Sequence, residues 1–164
     1  MIVTASNYRD AISRFLTGIT VVTTRQGTQA HGITASAVAS VSLEPPTLLV
    51  CLNRQSATCE AIGRAGHFAV NVLAENQLAL AQHFASKSPD KFSTLPSDND
   101  TPSWREGVLG APLLADALAH LECRVASTSD IGTHRIFFGE VAAAQAADGA
   151  PLAYFRGQFL TLAR

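Results

Sequence analysis

A mostly β fold, an antiparallel barrel with a few flanking helices, is predicted for this 164-residue chain from three features. Strand-like runs follow one another across short turns, helical stripes are few, and those few are peripheral, an order that favours a closed antiparallel barrel over an alternating parallel sheet. The clearest run is Ile33 to Leu43. Its odd positions are Ile33, Ala35, Ala37, Ala39, Val41 and Leu43, and its even ones Thr34, Ser36, Val38, Ser40 and Ser42. Period-2 alternation of this kind predicts one half-buried strand with a methyl-and-branched face and a hydroxyl face. The length favours one domain over residues 1–164.

In chain order, Tyr8, Ala11, Ile12, Phe15 and Leu16 fall on one helical stripe, with Ser6 or Asn7 as N-cap and Gly18 as the stop. Thr20 to Thr24 is β-branched throughout and predicts a strand. A hairpin turn centred on Gly27 leads into the Ile33 run. Pro45 and Pro46 break that ladder, since proline donates no backbone hydrogen bond. The next run, Leu48 to Leu52, is apolar on both faces, which predicts a central strand, and it ends in Asn53-Arg54-Gln55-Ser56. Ser56 to Gly66 predicts a short helix, His67 to Leu73 a strand, and Asn76 caps a helix running to about Phe84. From Ala85 to Pro112 the chain is polar and proline-rich, a length that marks a lid or a wrapping segment in a compact domain, with Phe92, Leu95 and Trp104 available to dock. Ala119 to Ser127 and Arg135 to Gln145 predict two long strands joined through Ser129 to Thr133, and Gln158 to Leu162 a last one.

Composition narrows the function. A net charge of −1 with no basic cluster argues against nucleic acid as the main partner. No apolar run approaches a membrane span, and the N-terminus has no signal-peptide pattern. Cys51, Cys59 and Cys123 lack CxxC spacing, and buried free thiols are expected of Cys51 and Cys123, which predicts a cytoplasmic protein. Only 15% of residues are charged, a density that suggests apolar surface covered by a second copy of the chain. The five histidines are spread singly, so no metal site is expected; His120 and Glu122 would share a strand face as a surface cross-pair. GxGxxG, GxxxxGK[ST] and GxSxG are all absent, against dinucleotide-fold, P-loop and serine-hydrolase chemistry.

What is left is the hydroxyl face of Thr34, Ser36, Ser40 and Ser42, followed by Asn53, Arg54, Ser56 and Thr58. A flavin phosphate takes hydroxyls, backbone N–H groups and an arginine, and its ring takes small neighbours such as Ala35 and Ala37 that let backbone donors approach. The same pattern fits an ordinary solvent-facing strand. His134, in a turn after Gly132-Thr133, is placed either to lie beside a bound ring or to point into solvent.

The segments FLTGITVVTT, GITASAVASVSLEPPTLLVCL, Phe68 to Leu73, Leu80 to Ala85, Leu121 to Val125, Gly132 to Val141 and Pro151 to Phe159, in this order and spacing, give the chain a resemblance to a known family. From about Tyr8 to Leu162 it resembles the flavin reductase-like family of short-chain NAD(P)H:flavin oxidoreductases, the reductase partners of two-component flavin monooxygenases. The resemblance implies a split-barrel, Greek-key fold assembled as a homodimer, with flavin in a groove near the subunit interface. It implies that Thr34, Ala35, Ser36, Ala37, Ser40, Val41 and Ser42 line the ring and ribityl chain, and that Asn53, Arg54, Ser56 and the start of the next helix, including Thr58, hold the phosphate. The family's Gly-Asp-His motif falls on Gly132-Thr133-His134, keeping the histidine beside the nicotinamide and replacing the aspartate with Thr133. The activity implied is hydride transfer from NADH, or NADPH, to FAD or FMN. The segment Ser86 to Trp104, long enough to cover an adenine, favours FAD, and the missing basic cluster favours NADH. Reduced flavin would reach a flavin-dependent monooxygenase by diffusion or transient contact. The alternatives are a reductase with tightly bound flavin acting on another substrate, and a flavin- or haem-binding carrier without turnover.

Overall fold

A computed structural model describes residues 3–95 and 103–162. Seven strands form one antiparallel sheet: β2 (Thr20–Gln26), β3 (Gln29–Ala35), β4 (Val38–Leu43), β5 (Pro46–Asn53), β6 (His67–Val72), β9 (Ala119–Ile131) and β10 (His134–Ala146). Their spatial order is β3-β2-β6-β9-β10-β5-β4, so the two edge strands are consecutive in the chain. All seven feed one hydrophobic core. Val22, Leu48, Val50, Leu52, Phe68, Val70, Cys123 and Phe137 are buried together, with Ile33, Ala35 and Val38 packed against them. A sheet whose edge strands both reach one core must be rolled. The corner where its edges meet is Ser36-Ala37, pinned by the Cys51 N–H donating to Ala37 O at 2.9 Å.

That corner corrects the expected single strand from Ile33 to Leu43. The chain leaves β3 at Ala35 and enters β4 at Val38. Inward positions run Ile33, Ala35, then Val38, so the bend inserts one residue and reverses the side-chain parity. A shift of one residue moves every later side chain to the other face. Ala39 therefore faces outward with its partner Leu49, a second register shift between Ser40 and Ser42 breaks the alternation again, and the predicted hydroxyl face is split. The turn after β4 is Glu44-Pro45, whereas Pro46 opens β5, a strand position where its missing N–H costs nothing. With β10 on one side and only the edge strand β4 on the other, β5 buries one face, Leu48, Val50 and Leu52, and leaves Leu49 and Cys51 half-buried. Cys51 is thus not the buried thiol expected, whereas Cys123 is; Cys59 is buried as well, and burial pushes the Cys123 thiol up to about 12.

A second core lies outside the roll. β2 contributes Val22 to the first core and Val21 to the second, which explains a strand apolar on both faces. Val21 meets Ile19, Leu73 and Leu114, residues Ala81 and Phe84 of α3 (Leu78–Ala85), and Leu152 of a three-stranded sheet built from β1 (Thr17–Gly18), β11 (Leu152–Phe155) and β12 (Gln158–Thr161). α3 can approach β3 only because residue 32 is glycine: a Cβ there would stand 2.5 Å from Phe84 Cε1. Its N-cap is Gln77 and not Asn76; the Gln77 side chain accepts the Ala74 N–H and donates to Ala115 O. The described part of the polar segment does wrap the molecule, as expected. Phe92 packs edge-on between Phe84 and Trp104, with centroids 5.2 and 5.6 Å away.

The remaining elements sharpen two expectations and overturn two. α2 (Ala57–Ala65) starts at its Ser56 cap and ends at left-handed Gly66, as predicted, and sends Cys59 and Ile62 into the first core. β9 and β10 run longer than predicted and turn at Gly132-Thr133, with Gly132 at φ +56°. α1 (Ala5–Ile12) is capped by Thr4 and stops at Ser13, so Phe15 and Leu16 lie beyond it, and no residue of the helix is buried. His120 and Glu122 are not a surface pair. His120 Nε2 lies 2.8 Å from Leu114 O, and the buried Glu122 carboxylate accepts the Leu109 N–H at 2.8 Å, so both hold down the hairpin of β7 (Trp104–Glu106) and β8 (Pro112–Leu114). Among the described residues no helix is long and apolar enough to cross a membrane.

Candidate functional site

Strand register assembles the site. β10 pairs with β5 so that His134 stands opposite Asn53, and the Arg54 N–H donates to Thr133 O at 3.0 Å. Two segments 80 residues apart in sequence are thus brought to one rim of the roll. One hollow lies at the Ser36-Ala37 corner, and two more open at this rim.

The first, of about 740 Å³, lies between α1, the Ser36-Ala37 corner and the β11–β12 turn, with Phe15, Tyr154 and Arg156 on its walls. Thr17 also lines it, and the Thr17 hydroxyl is buried with no hydrogen-bond partner, a polar atom left for an occupant. The second, of about 670 Å³, is walled by His31 and Gly32 of β3, by Asn53, Ser56 and Thr58 at the start of α2, and by Lys87 and Lys91. Lys91 Nζ donates to Phe84 O at 2.7 Å and Gly32 O at 3.2 Å, and burial holds its pKa below the ordinary lysine value. Burial likewise lowers His31, against the opposing pull of Glu60. A helix N-terminus, hydroxyl groups and a half-buried ammonium make this hollow suited to a phosphate. The third, of about 500 Å³, is walled by Asn53, Arg54, Gln55, Cys59, Glu60, Gly132, Thr133 and Arg135, sharing Asn53 and Gln55 with the second.

The sequence-derived residues divide among these places. Ser36 and Ala37 line the first hollow; Asn53, Ser56 and Thr58 line the second; Arg54 faces the third. The Ser56 hydroxyl is already committed, donating to Asn53 O and accepting the Cys59 N–H as helix cap. Thr34, Ala35, Ser40, Val41 and Ser42 lie outside the walls of all three. The Thr34 hydroxyl donates to Ala81 O at 2.6 Å, tying β3 to α3, and the Ser42 hydroxyl accepts the Glu44 N–H in the turn. His134 is exposed on the rim, its Nδ1 2.9 Å from the Thr133 hydroxyl. Threonine here fills the hydrogen-bonding place beside the imidazole. Sequence reasoning missed Lys87 and Lys91, although they are the only lysines in the chain and sit four apart in SKSPDKF. It also missed Tyr154, Arg156 and the α1 wall, where apolar and polar residues mix without period.

The flavin reductase like domain matches residues 12–163. The chain belongs to the flavin reductase-like domain family. Within that family it is 42% identical over 154 residues to the reductase component of a 4-nitrophenol 4-monooxygenase/4-nitrocatechol 2-monooxygenase from Rhodococcus opacus, covering 94% of this chain and 79% of that one. It is 38% identical over 152 residues to the FMN reductase (NADH) RutF of Stutzerimonas stutzeri, covering 91% of this chain and 83% of that one. Among solved structures it is similar to the NADH:FAD oxidoreductase SgcE6 of Streptomyces globisporus C-1027 in complex with NAD and FAD fragments, with a TM-score of 0.88 at 35% identity over 99% of this chain and 97% of that one. The mostly β, antiparallel fold expected from the sequence is the fold of the flavin reductase-like family.

Proposed function

We propose that this chain is an NADH-dependent flavin reductase, one flavin reductase-like domain over residues 1–164, that supplies reduced flavin to a partner monooxygenase. The observation that carries this reading is the shared rim: the His134 turn and the Asn53-Arg54 corner are hydrogen-bonded neighbours, and Asn53 also walls the phosphate-suited hollow. Relatives named as a monooxygenase reductase component, as FMN reductase (NADH) and as NADH:FAD oxidoreductase support it.

The residues present fit a flavin. Its phosphate end would be held by Asn53, Ser56 and Thr58 at the α2 N-terminus together with Lys87 and Lys91, and its ring by Ser36 and Ala37, small enough for backbone to approach. Thr34, Ala35, Ser40, Val41 and Ser42 lie on the flanking strands, and Arg54 stands next to Asn53 on the wall of the third hollow. A flavin held there would supply the hydride acceptor for NADH. The protein's own part is orientation and exclusion of water. His134, oriented by Thr133, positions the nicotinamide as a hydrogen-bonding group. We assign FAD over FMN on the breadth of the second hollow, with the 85–92 segment over one side. The free thiols support a cytoplasmic, reducing compartment. A homodimer is supported by an apolar surface that no described residue covers: Tyr8, Phe15, Leu16, Val41 and Leu43 are all more than 48% exposed, three of them flanking or lying within α1 beside the first hollow.

The test is oxidation of NADH by purified protein with and without added FMN or FAD, beside the protein's own absorbance. Turnover only with added flavin is the expected result. Turnover on another acceptor with flavin retained through purification selects a prosthetic-group reductase, and flavin bound without any turnover selects a carrier. His134→Ala is expected to raise the KM for NADH about 2- to 10-fold, the loss of one hydrogen bond, and to slow flavin reduction while leaving flavin affinity unchanged. Wild-type reduction rates at both saturating and low NADH would remove His134 from this role.

A further inference from the structure

Resting on the reductase reading, we propose that the third hollow is an anion subsite for a phosphate of the nicotinamide nucleotide, with Arg54 as its ligand and Asp130 as the group that restrains it. The geometry separates Arg54 from the flavin-phosphate wall. Asn53 and Gln55 line both hollows, but Arg54 lines only the one that contains Gly132, Thr133 and Arg135. It therefore stands on the His134 side of the rim, where the nicotinamide nucleotide arrives.

Charge counting makes this wall positive. Asp130 and Arg135 are directly opposite each other on β9 and β10, and Arg135 grips both oxygens of Asp130, Nε to Oδ1 at 2.6 Å and Nη2 to Oδ2 at 2.9 Å. The bidentate guanidinium holds the Asp130 carboxyl below its usual range and itself rises above the ordinary arginine value. Arg54 has what is left over. Its Nε lies 3.5 Å from Asp130 Oδ2, and its Nη1 lies 3.5 Å from Gly132 O, both at the outer limit of useful geometry. Two guanidinium groups thus share one carboxylate. Glu60, the acid that lines this wall, is paired one helical turn along with Arg64. A half-exposed arginine with weak partners and a surplus charge is pre-positioned for a phosphate, whose oxygens take guanidinium donors in pairs. The Thr133 hydroxyl and the Asn53 amide stand on the same wall as further donors. The phosphate is either the pyrophosphate common to both nicotinamide nucleotides or the 2′-phosphate of NADPH.

The test measures binding apart from turnover. ADP-ribose and its 2′-phosphorylated form are titrated calorimetrically into wild-type protein, Arg54→Gln and Asp130→Asn, with FMN titrated in parallel. Arg54→Gln is expected to weaken a probe about 5- to 20-fold, a charge-assisted contact partly screened by solvent, with FMN affinity unchanged. Asp130→Asn is expected to tighten the same probe about 2- to 5-fold by releasing Arg54, and both effects should shrink in high salt. Loss on both probes identifies the pyrophosphate; loss on the phosphorylated probe alone identifies the 2′-phosphate. No binding of either probe to wild type, equal binding to Arg54→Gln, or a matching loss of FMN overturns the assignment. The reductase reading is tested separately, since it fails only if NADH does not reduce added flavin.

Discussion

Phe68→Ala is expected to destabilise the protein by about 3–5 kcal/mol, the cost of emptying a fully buried aromatic site. At roughly 2–4 °C per kcal/mol for a chain of this size, the midpoint of thermal unfolding should fall by about 6–20 °C. The reason is position. Phe68 is completely buried, its ring centroid 6.5 Å from that of Phe137, in the core that all seven strands of the rolled sheet enclose. Its ring also occupies the space over Gly139, where an added Cβ would stand 2.5 Å from Phe68 Cζ and 2.7 Å from Cys123 Cβ. Gly139→Ala alone should therefore cost about 1–3 kcal/mol by overpacking. In the Phe68→Ala background the new methyl enters vacated space, relieving one of its two clashes, so the double variant should be more stable than the sum of the singles predicts. Thermal or denaturant melts of the four proteins check this. Additivity within about 0.5 kcal/mol would mean that Phe68 and Gly139 do not compete for one volume.

Where interactions are local, the sequence carried the fold. Ser56 to Gly66 announces its own cap and its own left-handed stop, and β2, β6, β9 and β10 carry β-branched or alternating patterns that survive into the structure. The misses have long-range causes. Period 2 from Ile33 to Leu43 looks unbroken because an inserted bend residue leaves small and hydroxyl side chains on both sides of it; only the pairing of Ala37 with Cys51 reveals the corner. The α1 stripe predicted a packed face, yet Tyr8 and Phe15 are 61% and 69% exposed, so its periodicity marks an apolar surface that no described residue covers. His120 and Glu122 looked paired by spacing, but each answers a backbone group on a distant hairpin. The site was legible as two clusters and not as one place. That Asn53 meets His134 is a register fact, and that Lys91 reaches the same hollow as Thr58 depends on the segment after α3 folding back over β3.

That fold-back makes Lys91 the residue whose removal should most affect flavin binding. Lys91→Met is expected to weaken flavin affinity about 10- to 150-fold, the range for losing a hydrogen bond to a charged phosphate. It also leaves Phe84 O and Gly32 O without their ammonium partner, loosening the segment from α3 and β3. Titration separates these two contributions. Burial lowers the Lys91 pKa, so between its folded value and the ordinary lysine value the unfolded chain holds more protons than the folded one. Stability from this group therefore rises with pH through that window, because the folded state no longer has to bury a charge. Phosphate binding runs the other way, since the deprotonated amine offers no charge. A bound phosphate in turn favours the protonated form and carries the pKa upward, so flavin binding should take up protons at alkaline pH. Wild-type flavin affinity should hold steady near neutral pH and weaken as pH rises toward the ordinary lysine range, and Lys91→Met should lose that dependence along with its affinity. Fluorescence titrations across this range decide the matter. If the variant and the wild type weaken in parallel as pH rises, the titrating group is elsewhere, and Lys91 serves only as the strut that holds its segment against β3.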